Sequence, residues 1–147
     1  MTQQYPQQAT LNNLVRFYQD LQAQPLSQLA AIYHQDILLV DPVGQHQGLE
    51  ALNGYFAALL KNLRYCRFEI THQHAFDEAA LLLWRMDYAH PALQKGAPQS
   101  LEGSSYLTFR DSRIIFQRDY YDLGEMLYEK VPLLGRAIRA LKRRLKP

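Results

Sequence analysis

Residues 65–90 read YCRFEITHQHAFDEAALLLWRMDYAH, and this stretch contains two runs in which side chains alternate between two faces. The first run covers residues 65–76, the second covers 79–90, and Asp77-Glu78 between them is typical of a turn. A period of two is the pattern of a β-strand, and two such runs around a short turn predict paired antiparallel strands. We therefore expect a sheet at the centre of this protein.

The alternating pattern continues on both sides of this pair. A loop is predicted at 91–100, which contains two prolines and a glycine, and strands follow at 102–110 and 113–122. A short strand is also predicted earlier, at 37–40, where the sequence DPVG (41–44) ends it in a turn. The sheet is therefore expected to be largely antiparallel.

The N-terminal part of the chain has helical periodicity instead. Apolar residues recur at spacings of three and four in 11–21 and again in 48–63, and Pro25 opens a second, short helix between them. Helices followed by antiparallel strands predict the α+β class. We expect the N-terminal helices to pack in a curved sheet, as a cone that encloses a small-molecule pocket.

The last segment, 131–147, is predicted to form a basic amphipathic helix that starts at Pro132. It contains six basic residues and no acid, and its larger apolar residues are spaced by four, three and four: Leu134, Ile138, Leu141 and Leu145. The simpler interpretation is a helix docked on the domain with a solvated basic face. The alternative is attachment to an anionic membrane or partner.

Composition supports one folded domain, which we assign to residues 1–130, followed by the C-terminal helix. The chain has 147 residues, of which 48% are hydrophobic and 20% are charged. Outside the C-terminal segment, ten basic and fourteen acidic residues leave a net charge of −4. Nucleic-acid binding is therefore not expected, because it usually requires positive charge across the face of the domain.

Other classes of protein are disfavoured by what the sequence lacks. The single cysteine, Cys66, permits no internal disulfide or CxxC motif, and we expect a packed core thiol. No apolar run approaches the roughly 20 residues of a membrane span, and the first residues do not follow the order of a signal peptide, so a cytoplasmic protein is expected. No cofactor fingerprint is present, and His72 and His74 lack an obvious third ligand; we expect neither cofactor nor metal.

The order of these elements, with YHQDILLVDPVG at 33–44 and QRDYYDL at 117–123, resembles the SnoaL-like family of the nuclear-transport-factor-2-like superfamily. The resemblance extends from about residue 11 to 127, and many SnoaL-like members carry an Arg-Asp-aromatic-aromatic-Asp segment on the last strand. It implies a cystatin-like α+β cone. The superfamily includes isomerases, cyclases, epoxide hydrolases, dehydratases and non-catalytic binding modules, so the fold alone does not decide the function.

Ketosteroid isomerase, in the same superfamily, carries its general base in a similar Asp-Pro-Val-Gly turn, so the resemblance places Asp41 at that base. The positions of its oxyanion donors correspond to Phe17 and Ser105, which argues against steroid isomerase activity. From the residues alone, an Asx turn that ends its strand is favoured for Asp41 over a catalytic role.

The resemblance to limonene-epoxide hydrolase is closer, because that enzyme combines an Arg-x-Asp on a central strand with an Asp on the last strand. The corresponding catalytic candidates are Arg85 and Asp87 in LWRMDY, and Asp119 in QRDYYD. The match fails at the water-holding tyrosine and asparagine, where this chain has Leu39 and Asp41.

The alternation itself places Arg85 and Asp87 on one face of their strand, among leucines, and Asp119 within a mostly apolar face of the last strand. If these faces meet, two carboxylates flank one guanidinium in a low-dielectric pocket, where one can ionise and the other stay protonated. A plain ion pair that joins the strands explains the same residues. The opposite face, with Trp84 and Tyr88, is then expected outside, buried in a homodimer.

Two functions follow from these observations. The first is a cofactor-independent hydrolase, isomerase or dehydratase that uses paired carboxylates on a small, largely apolar substrate. The second is a non-catalytic ligand-binding or dimerisation module on the same fold.

Overall fold

The computed structural model describes residues 5–147, which form five α-helices and one six-stranded sheet. The helices are α1 (Gln8–Gln19), α2 (Leu29–Ile32), α3 (Leu49–Asn62), α4 (Leu123–Met126) and α5 (Pro132–Leu145). The strands are β1 (Tyr33–Val40), β2 (Gln45–Gln47), β3 (Tyr65–Ala75), β4 (Ala79–Ala89), β5 (Gln99–Arg110) and β6 (Arg113–Tyr121). The predicted α+β class is confirmed, including the C-terminal helix.

The sheet has the strand order β2-β1-β6-β5-β4-β3. Every neighbouring pair is antiparallel except β1 and β6, which run parallel. The predicted mostly antiparallel sheet is therefore confirmed. The parallel pair joins an early strand to the last one, so the turn after β1 lies beside the QRDYYDL segment of β6.

The helical layer packs against the concave face of the sheet through its apolar residues. Leu11, Leu14 and Phe17 recur along one side of α1 and are fully buried, and Phe56 of α3 meets Phe17 edge to face with 5.5 Å between ring centroids. Aromatic pairs in this geometry contribute about 0.5–1.5 kcal/mol beyond the area they bury. This contact fixes the two helices against each other above the sheet.

The two faces of β4 are arranged in the opposite sense to the prediction. Trp84 and Tyr88 are only 5% and 3% exposed on the concave side, whereas the side chains of Arg85 and Asp87 are 48% and 39% exposed on the outer side. The predicted placement of Arg85 and Asp87 in the pocket was therefore wrong. Burying two large rings gains more apolar area than burying leucines, and the charged pair keeps its hydration outside.

A strict alternation along residues 65–76 would place His72 and His74 on the same face as Cys66, but the alternation of β3 is interrupted after its first half. Phe68 and Ile70 face inward with Cys66, but the pairing with β4 shifts between Ile70 and His72. This β-bulge turns His72 and His74 to the outer face, where both are exposed. The two histidines therefore do not line the pocket.

Helix α5 has the predicted start at Pro132, but most of its larger apolar residues do not pack on the domain. Leu141 and Leu145 are 59% and 85% exposed, and α5 contacts mainly the 3-10 turn Tyr128–Lys130. The helix is therefore docked on the domain as expected, but through this turn and not through Leu141 and Leu145. No helix within residues 5–147 is long and apolar enough to cross a membrane.

Candidate active site

A cavity of about 490 Å³ lies between the helices and the concave face of the sheet. Its walls are mainly aromatic and aliphatic, with contributions from Tyr18, Phe56, Phe68, Trp84, Met86 and Tyr88. A smaller set of polar side chains also lines it: Asp41, His46, Tyr55, His90, Asp119 and Tyr121. An apolar cavity of this size with a few polar groups is typical of a small-molecule site.

Asp119 reaches this cavity from the inward face of β6, where it is half-buried. Its Oδ1 accepts hydrogen bonds from Ser105 Oγ (2.6 Å) and from Gln117 Nε2 (3.0 Å). Trp84 Nε1 donates to Ser105 Oγ at 2.9 Å, so the hydroxyl hydrogen of Ser105 is left to point at Asp119. Trp84 and Ser105 thus fix the orientation of the carboxyl group.

The second oxygen of Asp119 is free for a ligand. No hydrogen bond from residues 5–147 reaches Oδ2, and no fully buried side-chain polar atom in that range lacks a partner. Oδ2 is therefore accessible, and the cavity is the space that Asp119 borders. When Asp119 is protonated, Oδ2 carries the proton, because Oδ1 already accepts two hydrogen bonds.

Burial raises the pKa of Asp119 from 3.8 to about 6. The hydrogen bonds from Ser105 and Gln117 oppose the effect of burial, and the negative charge of Asp41 adds to it. A carboxyl group with a pKa this close to neutrality can both accept and return a proton.

We expect the Asp119→Asn variant to gain stability relative to the wild type as the pH rises from about 4 to about 7. The folded-state pKa of about 6 lies above the ordinary 3.8, so the stabilising contribution of the protonated carboxyl is present at low pH and is lost as the pH rises through 6. Because the amide of the variant stays neutral, the unfolding free energy of the variant minus that of the wild type should increase by up to about 3 kcal/mol. Urea unfolding of both proteins at several pH values measures this difference. A difference that does not vary with pH would contradict the raised pKa.

Two phenols complete the polar part of the cavity. Tyr55 and Tyr121 both line it, and neither has a hydrogen-bond partner within residues 5–147. Burial, with the negative charges of Asp41 and Asp119, raises the pKa of both hydroxyls well above the usual range. Both are therefore neutral hydrogen-bond donors near neutral pH. Neither tyrosine was among the site residues predicted from the sequence, although the position of Tyr121 two residues after Asp119 was a signal that it shares the same face.

Asp41 follows β1 at the rim of the cavity and forms the expected Asx turn. Its Oδ1 accepts from the backbone amides of Val43 (2.8 Å) and Gly44 (3.0 Å). The turn also places His46 over Tyr55, with 4.2 Å between ring centroids. The structural interpretation of Asp41 is confirmed, and its carboxylate also contributes negative charge beside Asp119.

The structure does not bring Arg85 and Asp87 to Asp119, because they lie on the other side of the sheet. Arg85 Nη2 lies 3.3 Å from Asp87 Oδ2 and 3.3 Å from Glu69 Oε2, and all three side chains are substantially exposed. Exposed ion pairs of this kind contribute about 0–1 kcal/mol. The predicted arginine-centred triad is therefore not assembled.

The residues of the cavity do not support catalysis by a cysteine thiolate or by a metal ion. Cys66 is buried, and burial raises the pKa of its thiol to about 12, so it is not a ready thiolate. Within the described chain, no three or more His, Cys, Asp or Glu side chains are grouped to hold a metal ion.

With the fold and the cavity established, the chain can be compared with known proteins. The sequence profile of the SnoaL-like domain matches residues 14–117. The protein belongs to the SnoaL-like family. The match covers both the helical layer and most of the sheet, from α1 to the inward face of β6. No curated protein sequence matches the chain significantly.

Several solved structures share the fold of this SnoaL-like protein. A protein with a ketosteroid-isomerase-like fold from Catenulispora acidiphila is 16% identical with a TM-score of 0.72, over 88% of this chain and 95% of that one. A nuclear-transport-factor-2-like protein from Burkholderia pseudomallei is 14% identical with a TM-score of 0.72, over 82% and 94%. A candidate SnoaL-like polyketide cyclase from a Jannaschia species is 13% identical with a TM-score of 0.69, over 84% and 92%. At these identities the likeness concerns the fold alone.

Proposed function

We propose that this SnoaL-like protein is a cofactor-independent acid–base enzyme that acts on a small, largely apolar carbonyl compound. The observation that carries the proposal is the free, cavity-facing Oδ2 of Asp119, whose pKa is raised to about 6. This role replaces the arginine-centred triad with a single carboxyl group, with Asp41 as the second, charge-tuning carboxylate. Isomerisation or a related proton transfer is the reaction class.

In the proposed reaction, the Asp119 carboxylate removes a proton from the carbon next to the substrate carbonyl. The electron pair of that C–H bond moves into the C–C bond, and the carbonyl π electrons move onto oxygen, which gives an enolate. A hydrogen bond from Tyr55 or Tyr121 stabilises the negative oxygen. The protonated Asp119 then returns its proton to the same carbon, which gives exchange, or, in a substrate with a C=C bond conjugated to the enolate, to the far end of that bond, which gives isomerisation. The electron pair on oxygen re-forms the carbonyl group in either case, so that atoms and charge balance without a co-reactant.

The walls of the cavity support the proposed class of substrate. Aromatic rings surround most of the space, so a ligand with a flat or cyclic apolar body is favoured. The polar groups are few, and they include one acceptor and two phenol donors. This combination suits a molecule with one carbonyl or hydroxyl group on an apolar body.

Two proteins of the same fold support a small-molecule ligand in the cavity. The Jannaschia protein is a candidate SnoaL-like polyketide cyclase, and the structure of the Catenulispora protein is a complex with trimethylamine. The second function, a ligand-binding module without turnover, requires the same cavity. Turnover, and not binding, therefore separates the two functions.

The proposal is tested by exchange of acidic C–H protons for deuterium in D₂O, followed by NMR on a panel of aryl and cyclic ketones. We expect accelerated exchange whose rate rises with pH up to about 6 and then levels off, because only the ionised form of Asp119 accepts a proton. Ligand binding is measured in parallel by fluorescence of Trp84, the only tryptophan, which lines the cavity. Binding without exchange above buffer across the panel would favour the binding module.

The Asp41→Asn variant provides an internal check on the pH profile. Asn keeps an Oδ1 for the Asx turn but removes the negative charge that helps to raise the pKa of Asp119. The midpoint of the exchange profile should therefore move to lower pH. A midpoint that moves to higher pH would contradict the assignment of the profile to Asp119.

A homodimer also remains a proposal for this protein. The outer face of the sheet, now known to carry Arg85 instead of Trp84, exposes Leu83, Tyr106 and Tyr120 on three adjacent strands. Such an exposed apolar patch is typical of a protein–protein interface. We expect light scattering to give the mass of a dimer, and the mass of a monomer would contradict this.

A further inference from the structure

Helix α5 presents one side on which apolar residues are collected, and of these only Ile138 is half-buried. Successive residues turn by about 100° around a helix, which places four side chains within an arc of about 60°. We call them the apolar stripe: Leu134, Ile138, Leu141 and Leu145. Leu134, Leu141 and Leu145 are exposed to solvent.

The stripe stays uncovered because α5 is attached to the rest of the protein by a different side. Gly135 is buried against the backbone of Glu129, where a side chain larger than hydrogen would collide. Arg139 Nη1 donates to the carbonyl oxygen of Glu129 at 2.7 Å, and Lys142 Nζ donates to Glu129 Oε1 at 2.9 Å. This attachment side lies about a quarter-turn from the apolar stripe.

Positive charge surrounds the stripe. Six basic residues and no acid are present in 131–147, and Lys142 and Arg144 flank the stripe within about 90° of its centre on either side. Basic residues beside an exposed apolar stripe are typical of helices that lie in the plane of a membrane interface. A second copy of α5 is a poor occupant, because the two basic segments would repel each other.

We propose that α5 binds the surface of an anionic membrane, with the apolar stripe inserted among the lipid head groups and the basic residues contacting their phosphates. This proposal does not depend on the function of the cavity. Attachment through Gly135 and Glu129 holds the helix to the domain, so the stripe is presented without any unfolding. Nucleic acid would use the charges but leave the leucines without a role.

The test uses the full chain and sedimentation with vesicles of phosphatidylcholine, either alone or mixed with phosphatidylglycerol. We expect binding to the anionic vesicles, weaker binding at high salt and little binding to phosphatidylcholine alone. The Leu141→Gln/Leu145→Gln variant should lose at least about tenfold in partitioning. Glutamine has nearly the same helix propensity as leucine, so the helix itself should persist.

Two charge variants distinguish the effect of positive charge on α5 from the effect of the net charge of the protein. Arg144→Gln/Lys146→Gln should lose about 5-fold per charge in binding to anionic vesicles, because Arg144 flanks the stripe and Lys146 follows Leu145 at its end. The matched control, Lys61→Gln/Arg110→Gln, removes two exposed positive charges elsewhere and should bind like the wild type.

Three results would overturn the proposal. The first is no binding of the wild type to anionic vesicles. The second is unchanged binding of the Leu141→Gln/Leu145→Gln variant. The third is a light-scattering mass of that variant that is half the mass of the wild type, since such a loss of a dimer would show that a second copy covers the stripe.

Discussion

The Asp119→Asn variant is expected to lower the protein-catalysed exchange of ketone protons by about 10²–10⁴-fold. The change removes the group that accepts the proton and leaves the surrounding hydrogen bonds in place. The amide oxygen can still accept from Ser105 and Gln117, whose donors lie 2.6 and 3.0 Å from Oδ1. The geometry of the cavity should therefore persist, and NMR exchange at about pH 7 measures the loss.

Asp87→Asn is the matched control for this experiment. It makes the same chemical change on the outer face of β4, at a side chain that is 39% exposed and paired with Arg85. We expect unchanged exchange and a change in unfolding free energy of less than about 1 kcal/mol. Trp84 fluorescence should show that Asp119→Asn still binds the ketone. Equal losses of exchange in both variants would contradict the assignment of Asp119.

The Gly103→Ala variant is expected to lower the free energy of unfolding by about 1–3 kcal/mol. Gly103 pairs with Trp84 across β4 and β5, and a Cβ at this position would collide with the indole ring. The same Cβ would also lie 2.7 Å from the backbone carbonyl oxygen of Tyr120. Because backbone lies on one side and the indole on the other, the added methyl group must displace one of them. Chemical denaturation measures the change.

Gly54→Ala in α3 is the control of opposite sign. A Cβ there meets no atom within 4 Å, and alanine is favoured over glycine in a helix by up to about 1 kcal/mol.

If Gly103→Ala displaces Trp84, the hydrogen bond from Trp84 to Ser105 is weakened, and the maximum of the Trp84 fluorescence emission should shift. A Gly103→Ala variant as stable as Gly54→Ala would show that the indole is not packed as described.

Local periodicity was sufficient to predict most of the fold from the sequence. The alternation in 65–76 and 79–90 predicted β3 and β4 within one residue, and the three- and four-residue spacings predicted α1 and α3. These patterns depend on the backbone geometry of one element at a time. Asp119 was also placed correctly on an inward face of β6, since its neighbours on that face are mostly uncharged.

Only the tertiary structure decided which side of β4, and of the second half of β3, is inside. Alternation shows that Arg85 and Asp87 share a face, but β4 has apolar residues on both faces, so the choice depended on the space that Gly103 leaves for Trp84. The bulge after Ile70 likewise depends on pairing with β4.

The polar groups of the cavity and the exposure of α5 also depend on contacts distant in sequence. Tyr55 and Asp119 come from α3 and β6, and only the packing of helix on sheet brings them to one cavity. The apolar stripe of α5 was visible in the sequence, but its exposure follows from the close approach of Gly135 to Glu129. Sequence patterns determine which residues share a face, and burial between elements determines what that face meets.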